Sequence, residues 1–409
     1  MSRRLVGGSR DLRTGQPVWL GQGAAPSLGA PLRRSFSIDV AIIGGGVSGA
    51  LLADAALAAG QAVAVLDRRG FVLGSTPAST ALLQFELDQP LTLLGRRIGR
   101  ERAARAWWRS AAAVDLLRAR VADLGIRCGF RERQAAYLPG NVLDVAGLKR
   151  EAAERARIGL RSRFVTRREL RDLTGLDRPG AIWSAGAAEV NPVGLTRGLW
   201  RSVLARGGRL LAPVEVVDIV PGRGAVTLAM ADGKEVRARH VVLATGYELP
   251  KMLRPRGYRI ISTWALATQP QKARLWPTRC LIWEAADPYL YIRTTADDRV
   301  LIGGEDADFS DEEQRDREIP RKIAALRRKV ARLLPGIDTE PAFTWAGSFG
   351  ASSTSLPAIG PVPGAERCFA VIGYGGNGIT FSVIAAQMFQ RHLLGLGDPD
   401  WDVFALDAA

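Results

Sequence analysis

The chain has few of the residues that build metal centres and disulfide frameworks. Its 409 residues include three cysteines and two histidines. Cys128, Cys280 and Cys368 are scattered, form no C-x-x-C pair and are odd in number. A paired disulfide framework and a cysteine-type zinc site are therefore excluded, and a reducing, cytoplasmic setting is expected. His240 and His392 are too few for a histidine-rich metal site. His240 lies between a basic hairpin and a strand and reads as structural; His392, late on a helix, reads as a C-terminal cap. No apolar run reaches the roughly 18 residues of a membrane-spanning helix. Arg3 and Arg4 are not followed by an apolar core of the signal-peptide kind. Acidic side chains are in deficit, 41 against 56 Lys and Arg, for a formal net charge of +15. The arginines are spread along the chain, without zinc-finger spacing, a recognition-helix pattern or a basic tail, so no nucleic-acid partner is expected. An anionic substrate or surface remains compatible with the charge.

What is present is a chain with enough apolar residues, 47%, for large cores, and a length that suggests two or three domains. Its clearest feature is the segment from Ile38 to Gly70, IDVAIIGGGVSGALLADAALAAGQAVAVLDRRG. An apolar strand at Val40 to Ile43 leads into Gly44, Gly46 and Gly49. A helical run to about Ala59 and a strand from Ala62 to Leu66 follow, ending at Asp67. This is the G-x-G-x-x-G arrangement of a dinucleotide site. Gly44 permits the tight turn, Gly46 lets the backbone approach a pyrophosphate, and Gly49 lets the helix pack on the sheet. The helix start at Val47 and Ser48 offers free N–H groups and a positive dipole end. Asp67 suits the ribose hydroxyls. Arg68 and Arg69 would suit a 2′-phosphate, against which Asp67 argues. The fingerprint alone does not choose between FAD and NAD.

Further along, residues 1–35 are rich in Gly and Pro and read as an extended arm, with Val18-Trp19-Leu20 as its apolar anchor. Helical patterns cover 96–124 and 146–158, and Thr166 caps a short helix over Arg167 to Leu173. AIWSAGAAEVNPVGLTRGLW carries a turn at Asn191-Pro192 and then a helix. Leu210 to Ile219 is strand-like, Asp232-Gly233 marks a hairpin between Val226–Ala229 and Glu235–Ala238, and Val241 to Leu243 is an apolar strand. Antiparallel strands are expected at 260–268, 280–285, 289–294 and 300–303, a charged helix at 311–334, and strands at 343–348 and 368–372. A second glycine loop, Gly373 to Gly378, feeds a helix at about 379–394. The resulting expectation is an α/β fold: a Rossmann-like FAD/NAD(P)-binding domain (36–95, 188–255 and 340–398) with an inserted antiparallel-sheet α+β substrate domain (96–187 and 256–339).

Four motifs resemble the FAD-dependent oxidoreductases of the D-amino acid oxidase family, in its glycine- and sarcosine-oxidase-like branch. They are Gly44 to Gly49 with Asp67; GSTPASTALLQ, Gly74 to Gln84; VVLATGYELP, Val241 to Pro250; and GYGGNGIT, Gly373 to Thr380. YIRTTADDRVLIGGED, Tyr291 to Asp306, resembles the family's substrate-domain strands. The resemblance spans about 36–395. It implies FAD held by Ser75 and Thr76, with Ser79 and Thr80 behind them, by the backbone at Val216, and by Thr245 and Gly246. The last loop, Gly375, Gly376, Asn377, Gly378, Ile379 and Thr380, would meet the flavin's pyrimidine end, where reduction places negative charge. Where family members attach FAD to a cysteine, that cysteine falls just before the ASSTSLPAIG run. Trp345 and its neighbours stand there, so non-covalent FAD is expected. Tyr374 takes the place of a histidine common in the family's last loop.

The implied reaction is oxidation of a small amine or amino acid, with hydride passing to flavin N5, hydrolysis of the imine, and oxygen as acceptor. Arg293, on a strand with aromatic neighbours, is the candidate clamp for a substrate carboxylate; a surface position or pairing with Glu284 or Glu305 is its structural alternative. Tyr291 and Trp283 are candidate pocket walls, followed by Trp264 and Trp345. Two other functions remain open: a dehydrogenase of amino or hydroxy acids passing electrons to a quinone or carrier, and an FAD-bearing binding or assembly subunit. Oligomeric state is not legible.

Overall fold

The structure is a computed structural model, and it describes residues 10–21, 28–253 and 257–406. Two sheets organise the chain. The eight-stranded one is built on Phe36–Ile43, which pairs in parallel with Val63–Leu66 on one side and Glu235–Leu243 on the other. Cys368–Ile372 and Arg209–Leu211 extend it at either hand, also in parallel. Parallel strands are covered on both faces and read as apolar runs. Val40, Ala41 and Ile42 accordingly have no solvent exposure. The expected strands at Glu235–Ala238 and Val241–Leu243 are one strand, Glu235–Leu243, which serves the hairpin and the parallel sheet in turn. Leu210 to Ile219 is two strands, Arg209–Leu211 and Val216–Val220.

The helix Val47–Ala58 that follows the first glycine loop is buried along most of its length. It packs against Gly378–Leu393 and Pro192–Ala205. That explains why it is apolar on all sides rather than striped. At Gly49 a Cβ would stand 1.9 Å from the Gly44 carbonyl oxygen, so helix and loop meet at a distance only glycine permits.

The second sheet has ten strands and is mostly antiparallel. Arg259–Thr268 lies between Val300–Ala307 and Pro341–Ala351, and Leu290–Thr294 continues it past Val300–Ala307. One face is sealed by the helix Ile319–Leu333 through Ile323, Leu326, Val330 and Leu333, a helical spacing of apolar residues. The other face looks toward the nucleotide-binding sheet. Pro341–Ala351 belongs to this ten-stranded sheet, which corrects its sequence-based assignment to the nucleotide domain. Arg131–Leu138 and Gly180–Glu189 are strands of the same sheet that sequence patterning did not reveal.

The N-terminal arm adds a strand to that sheet's edge, with Arg13–Gly15 pairing against Gly347 to Trp345. Val18 and Trp19 are buried, and the Trp19 indole donates to the Ser79 carbonyl at 2.8 Å. The arm thus lies over the loop that follows the first nucleotide strands. Residues 1–9 and 22–27 of it lie outside the described residues.

Candidate active site

The loops that carry the motifs converge between the two sheets. Gly44 has φ +123°, and a Cβ there would stand 2.2 Å from the Ala244 carbonyl oxygen, so the first loop and the Ala244-Thr245-Gly246 turn are in direct contact. Gly246 has φ +65°, and its nearest non-neighbouring side chain, Ser75, is 3.9 Å from a built Cβ. A chamber here is lined by Gly44, Gly46, Asp67, Arg68, Thr76, Val216, Thr245 and Gly246, among others. A second chamber is lined by the last glycine loop and by the face of the ten-stranded sheet. The two share Gly46, Ser75, Thr76, Ala244 and Gly246. Together they make one groove that passes the N-terminus of the first buried helix at Gly46.

A dinucleotide with its pyrophosphate at the helix start has this shape. The Thr245 hydroxyl is buried in the groove wall without a hydrogen-bonding partner, and so is free for a ligand. Asp67 accepts from the backbone N–H groups of Gly45 at 2.6 Å, Arg69 at 2.8 Å and Gly70 at 2.9 Å, which fixes its carboxylate at the chamber's edge. Arg68 and Arg69 both pair with Glu248. Their charge is met within the protein, which removes the case for a 2′-phosphate. The groove residues fit FAD.

Residues 39–391 match the family described as DAO, FAD dependent oxidoreductase. The chain belongs to this family. It is an FAD-dependent oxidoreductase. Gamma-glutamylputrescine oxidoreductase of Escherichia coli (strain K12) is 24% identical over 391 residues, covering 91% of this chain and 87% of that protein. Glycine oxidase of Geobacillus kaustophilus (strain HTA426) is 25% identical over 381 residues, covering 86% of this chain and 93% of that protein. The crystal structure of glycine oxidase from Geobacillus kaustophilus aligns with a TM-score of 0.75 at 21% identity, over 91% of this chain and 99% of that one. The structure of L-amino acid deaminase from Proteus myxofaciens aligns with a TM-score of 0.76 at 14% identity, over 97% of this chain and 98% of that one. These structural likenesses establish the fold.

Several residues expected to touch the cofactor have partners inside the protein. The Thr76 hydroxyl accepts from Val47 N–H at 3.1 Å and occupies part of the helix start. Ser48 bonds Ser382 at 2.8 Å, and the Ser79 hydroxyl accepts from Ala81 N–H at 3.1 Å. Asn377 donates to the carbonyls of Glu86 at 3.0 Å and Gln84 at 3.3 Å, and Thr380 also donates to Gln84 at 3.3 Å. Asn377 and Thr380 therefore tie the last loop to the segment 84–88. Gly376 N–H was expected to be open to a flavin carbonyl. It donates to Asp88 Oδ2 at 2.8 Å instead. A Cβ at Gly376 would come within 2.8 Å of the Asp88 carboxylate, so this contact needs glycine.

The substrate-side expectations divide. Tyr291 and Trp283 line the second chamber. Tyr291 lies across Gly303 of the adjacent strand, where a Cβ would meet its ring at under 3 Å. Trp283 stacks on Tyr137, with ring centroids 3.8 Å apart. Trp264 and Trp345 are packing residues, buried with their indole N–H groups on the carbonyls of Arg315 and Ala78.

Arg293 is not a carboxylate clamp. It is 2% exposed, and its guanidinium donates to the carbonyls of Ala81 at 2.6 Å and Val190 at 3.1 Å. It lies 5.2 Å from the centre of the Trp19 ring. The alternatives, a surface position or pairing with Glu284 or Glu305, do not hold either. Arg293 is two residues beyond Tyr291 on one face of the strand, roughly 7 Å farther along. There Ala81, part of the chamber wall, has already closed over it.

Sequence reasoning passed over Asp88 and Tyr247, which line the second chamber together with Tyr289 and Tyr374, and Asp306, which lies behind it. Asp88 is exposed, with its carboxylate open onto the chamber. The protein packed around it raises its pKa, and the Gly376 N–H pulls it partly back. Both Asp306 carboxylate oxygens are sealed from solvent and lack a full hydrogen bond. Its polar neighbours are the hydroxyls of Thr263 and Tyr289. Burial pushes the Asp306 pKa up to about 7; Thr263, Tyr289 and Lys322 oppose the shift, and Asp88 adds to it. A signal for Asp306 was present in Gly303-Gly304-Glu305-Asp306. Gly304 (φ +130°) and Glu305 (φ +59°) form a bulge in which Glu305 and Asp306 together oppose Thr263. Glu305 pairs with Lys322 and Lys329 of the covering helix, while Asp306 lies toward Thr263 and Tyr289.

Proposed function

We propose that this protein oxidises a small amine or amino acid at a C–H bond next to nitrogen, with non-covalently held FAD and with oxygen as the final acceptor. The observation that carries the reading is the continuity of the groove: a nucleotide-shaped chamber opens, past Gly46 and Gly246, into a second chamber walled by Trp283, Tyr289 and Tyr291. Bound FAD would supply the two-electron acceptor for that C–H bond. Gly46 and the start of helix Val47–Ala58 would hold its pyrophosphate, and Asp67 its ribose. Cys128, Cys280 and Cys368 are all buried and none lines either chamber, which supports non-covalent attachment.

The chain's own contribution to the chemistry is alignment and exclusion of water. The substrate gives up a hydride from carbon and a proton from nitrogen, two electrons and two protons in all, leaving an imine that water hydrolyses to a carbonyl compound and an amine. The Tyr291 ring is held over Gly303, and Trp283 is braced by Tyr137, so two walls have fixed orientation. Holding the reacting carbon in one pose is the main lever when little acid–base chemistry is required. The DAO match, with amine- and amino-acid-oxidising relatives, supports this reaction class. The test is anaerobic bleaching of the flavin-loaded protein by a panel of amines, amino acids and hydroxy acids, then admission of air. Bleaching by a nitrogen compound and peroxide on reoxidation are expected. Bleaching by hydroxy acids alone would refute the reaction class; bleaching without peroxide would refute oxygen as the acceptor.

A further inference from the structure

The second chamber has a charge character opposite to that of the whole chain. Among the described residues that line it there is no Arg, Lys or His, although the chain carries a net charge of +15. The ionisable groups on its wall are Asp88 and the phenols of Tyr247, Tyr289, Tyr291 and Tyr374. Burial raises the pKa of all four phenols, so they are neutral. Asp306 adds a second carboxyl directly behind Thr263 and Tyr289, with both oxygens sealed from solvent and only those two hydroxyls beside them. Lys322 is the one cation acting on Asp306 and none lines the chamber among the described residues, so a substrate bringing another carboxylate would meet uncompensated negative charge. An ammonium group relieves it. Aromatic faces, here Trp283, Tyr289 and Tyr291, add favourable contact with such a cation.

We propose that the substrate is a cationic alkylamine or diamine with no carboxylate beside the reacting carbon, its ammonium drawn in by Asp88 and by the field of Asp306. A reacting nitrogen that arrives as ammonium passes its proton to Asp88 before the C–H bond breaks, so that its lone pair is free to form the imine. This rests on the amine-oxidation reading and narrows it. Asp88 is the direct contact because its carboxylate opens onto the chamber. It stays in place through the Gly376 N–H, 2.8 Å away. Asp306 is a positioning residue, acting through Thr263 and Tyr289.

The experiment uses the flavin-loaded full chain. Anaerobic flavin reduction is measured with n-butylamine and 1,4-diaminobutane, and with glycine, sarcosine and D-alanine. In parallel, the flavin difference spectrum is titrated with butyltrimethylammonium, which cannot form an imine, and with acetate. Reduction by the amines, little by the amino acids, and a spectral response to the quaternary cation alone are expected. Reduction by the amino acids with no response to the cation overturns the proposal and leaves amine oxidation standing. A response to the cation with no reduction by either class supports the charge assignment and overturns the amine-oxidation reading. Asp88→Asn keeps an acceptor for Gly376 N–H. It should weaken the cation by about 10- to 100-fold, the loss expected of one charge-assisted contact, with flavin content unchanged. Equal cation affinity in a flavin-loaded Asp88→Asn protein overturns the role of Asp88.

Discussion

Replacing Asp306 by asparagine should make the protein more stable at neutral and alkaline pH. The ordinary pKa of the group is 3.8 and burial pushes it to about 7 in the fold. Below both values the carboxyl is neutral in the folded and unfolded chains and costs nothing. Between pH 3.8 and about 7 the unfolded chain ionises while the folded one does not, so stability falls as pH rises. A shift of roughly three units at about 1.4 kcal/mol each gives a loss of about 4 kcal/mol by the end of that window. The groups that set this balance come from several elements. Asp88 opposes ionisation from the chamber side, while Thr263 on the neighbouring strand, Tyr289 just before Leu290–Thr294, and Lys322 on the covering helix favour it. Asparagine is nearly isosteric and cannot ionise. Urea unfolding of wild type and Asp306→Asn, followed from about pH 5 to 8.5, should show wild type losing stability relative to the variant as pH rises, the gap levelling off above about pH 7. Parallel curves for the two proteins would mean that Asp306 keeps an ordinary pKa, and the sealed-carboxyl argument would fail. A bound ammonium should shrink the gap, because it stabilises the ionised form.

Gly46→Ala should fold normally yet lose most of its FAD: the added Cβ meets only the Thr76 hydroxyl within the protein, at 3.1 Å, but intrudes where the pyrophosphate would lie. Gly49→Ala, with its Cβ 1.9 Å from the Gly44 carbonyl oxygen, should lose stability and flavin together, so circular dichroism and absorbance at the flavin band separate the two glycines. Acid precipitation of the loaded protein should leave all flavin in the supernatant; colour on the pellet would refute non-covalent attachment. Arg293→Met should destabilise by about 1–3 kcal/mol for each of the two carbonyls it orphans, measured by urea unfolding, while the KM for an identified substrate stays unchanged; an increase in KM at normal stability would restore the clamp.

The nucleotide half was legible because its determinants are local. Gly44, Gly46, Gly49 and Asp67 lie within one strand–turn–helix–strand unit, and its geometry is set by neighbours a few residues away. Thr166 could likewise be read as a cap, and the structure shows a capping box with Glu169. The ten-stranded sheet was less legible because membership in it depends on distant pairing. Pro341–Ala351 stands close in sequence to the last glycine loop, but its hydrogen bonds go to Arg259–Thr268. Gly180–Glu189 is rich in glycine and alanine and gives little periodic signal. It is nonetheless a strand, paired along its length on both sides with Arg131–Leu138 and Ser162–Thr166.

The error at Arg293 shows which information was missing. Alternation along Leu290–Thr294 correctly places Tyr291 and Arg293 on one face, away from buried Ile292. Which part of that face stays open is decided by chain from elsewhere: Ala81 and Val190 cap Arg293, while Gly303, by lacking a side chain, leaves room for Tyr291. The charge of the site has the same origin. Asp88 follows the first nucleotide unit and lines the chamber, while Asp306 sits at a bulge in the second sheet, behind the chamber wall formed by Thr263 and Tyr289. A strongly basic chain can therefore enclose an acidic site. The arginines on its surface are paired or solvated, and the groups that face the substrate are chosen by register and by bulge, which net charge does not report.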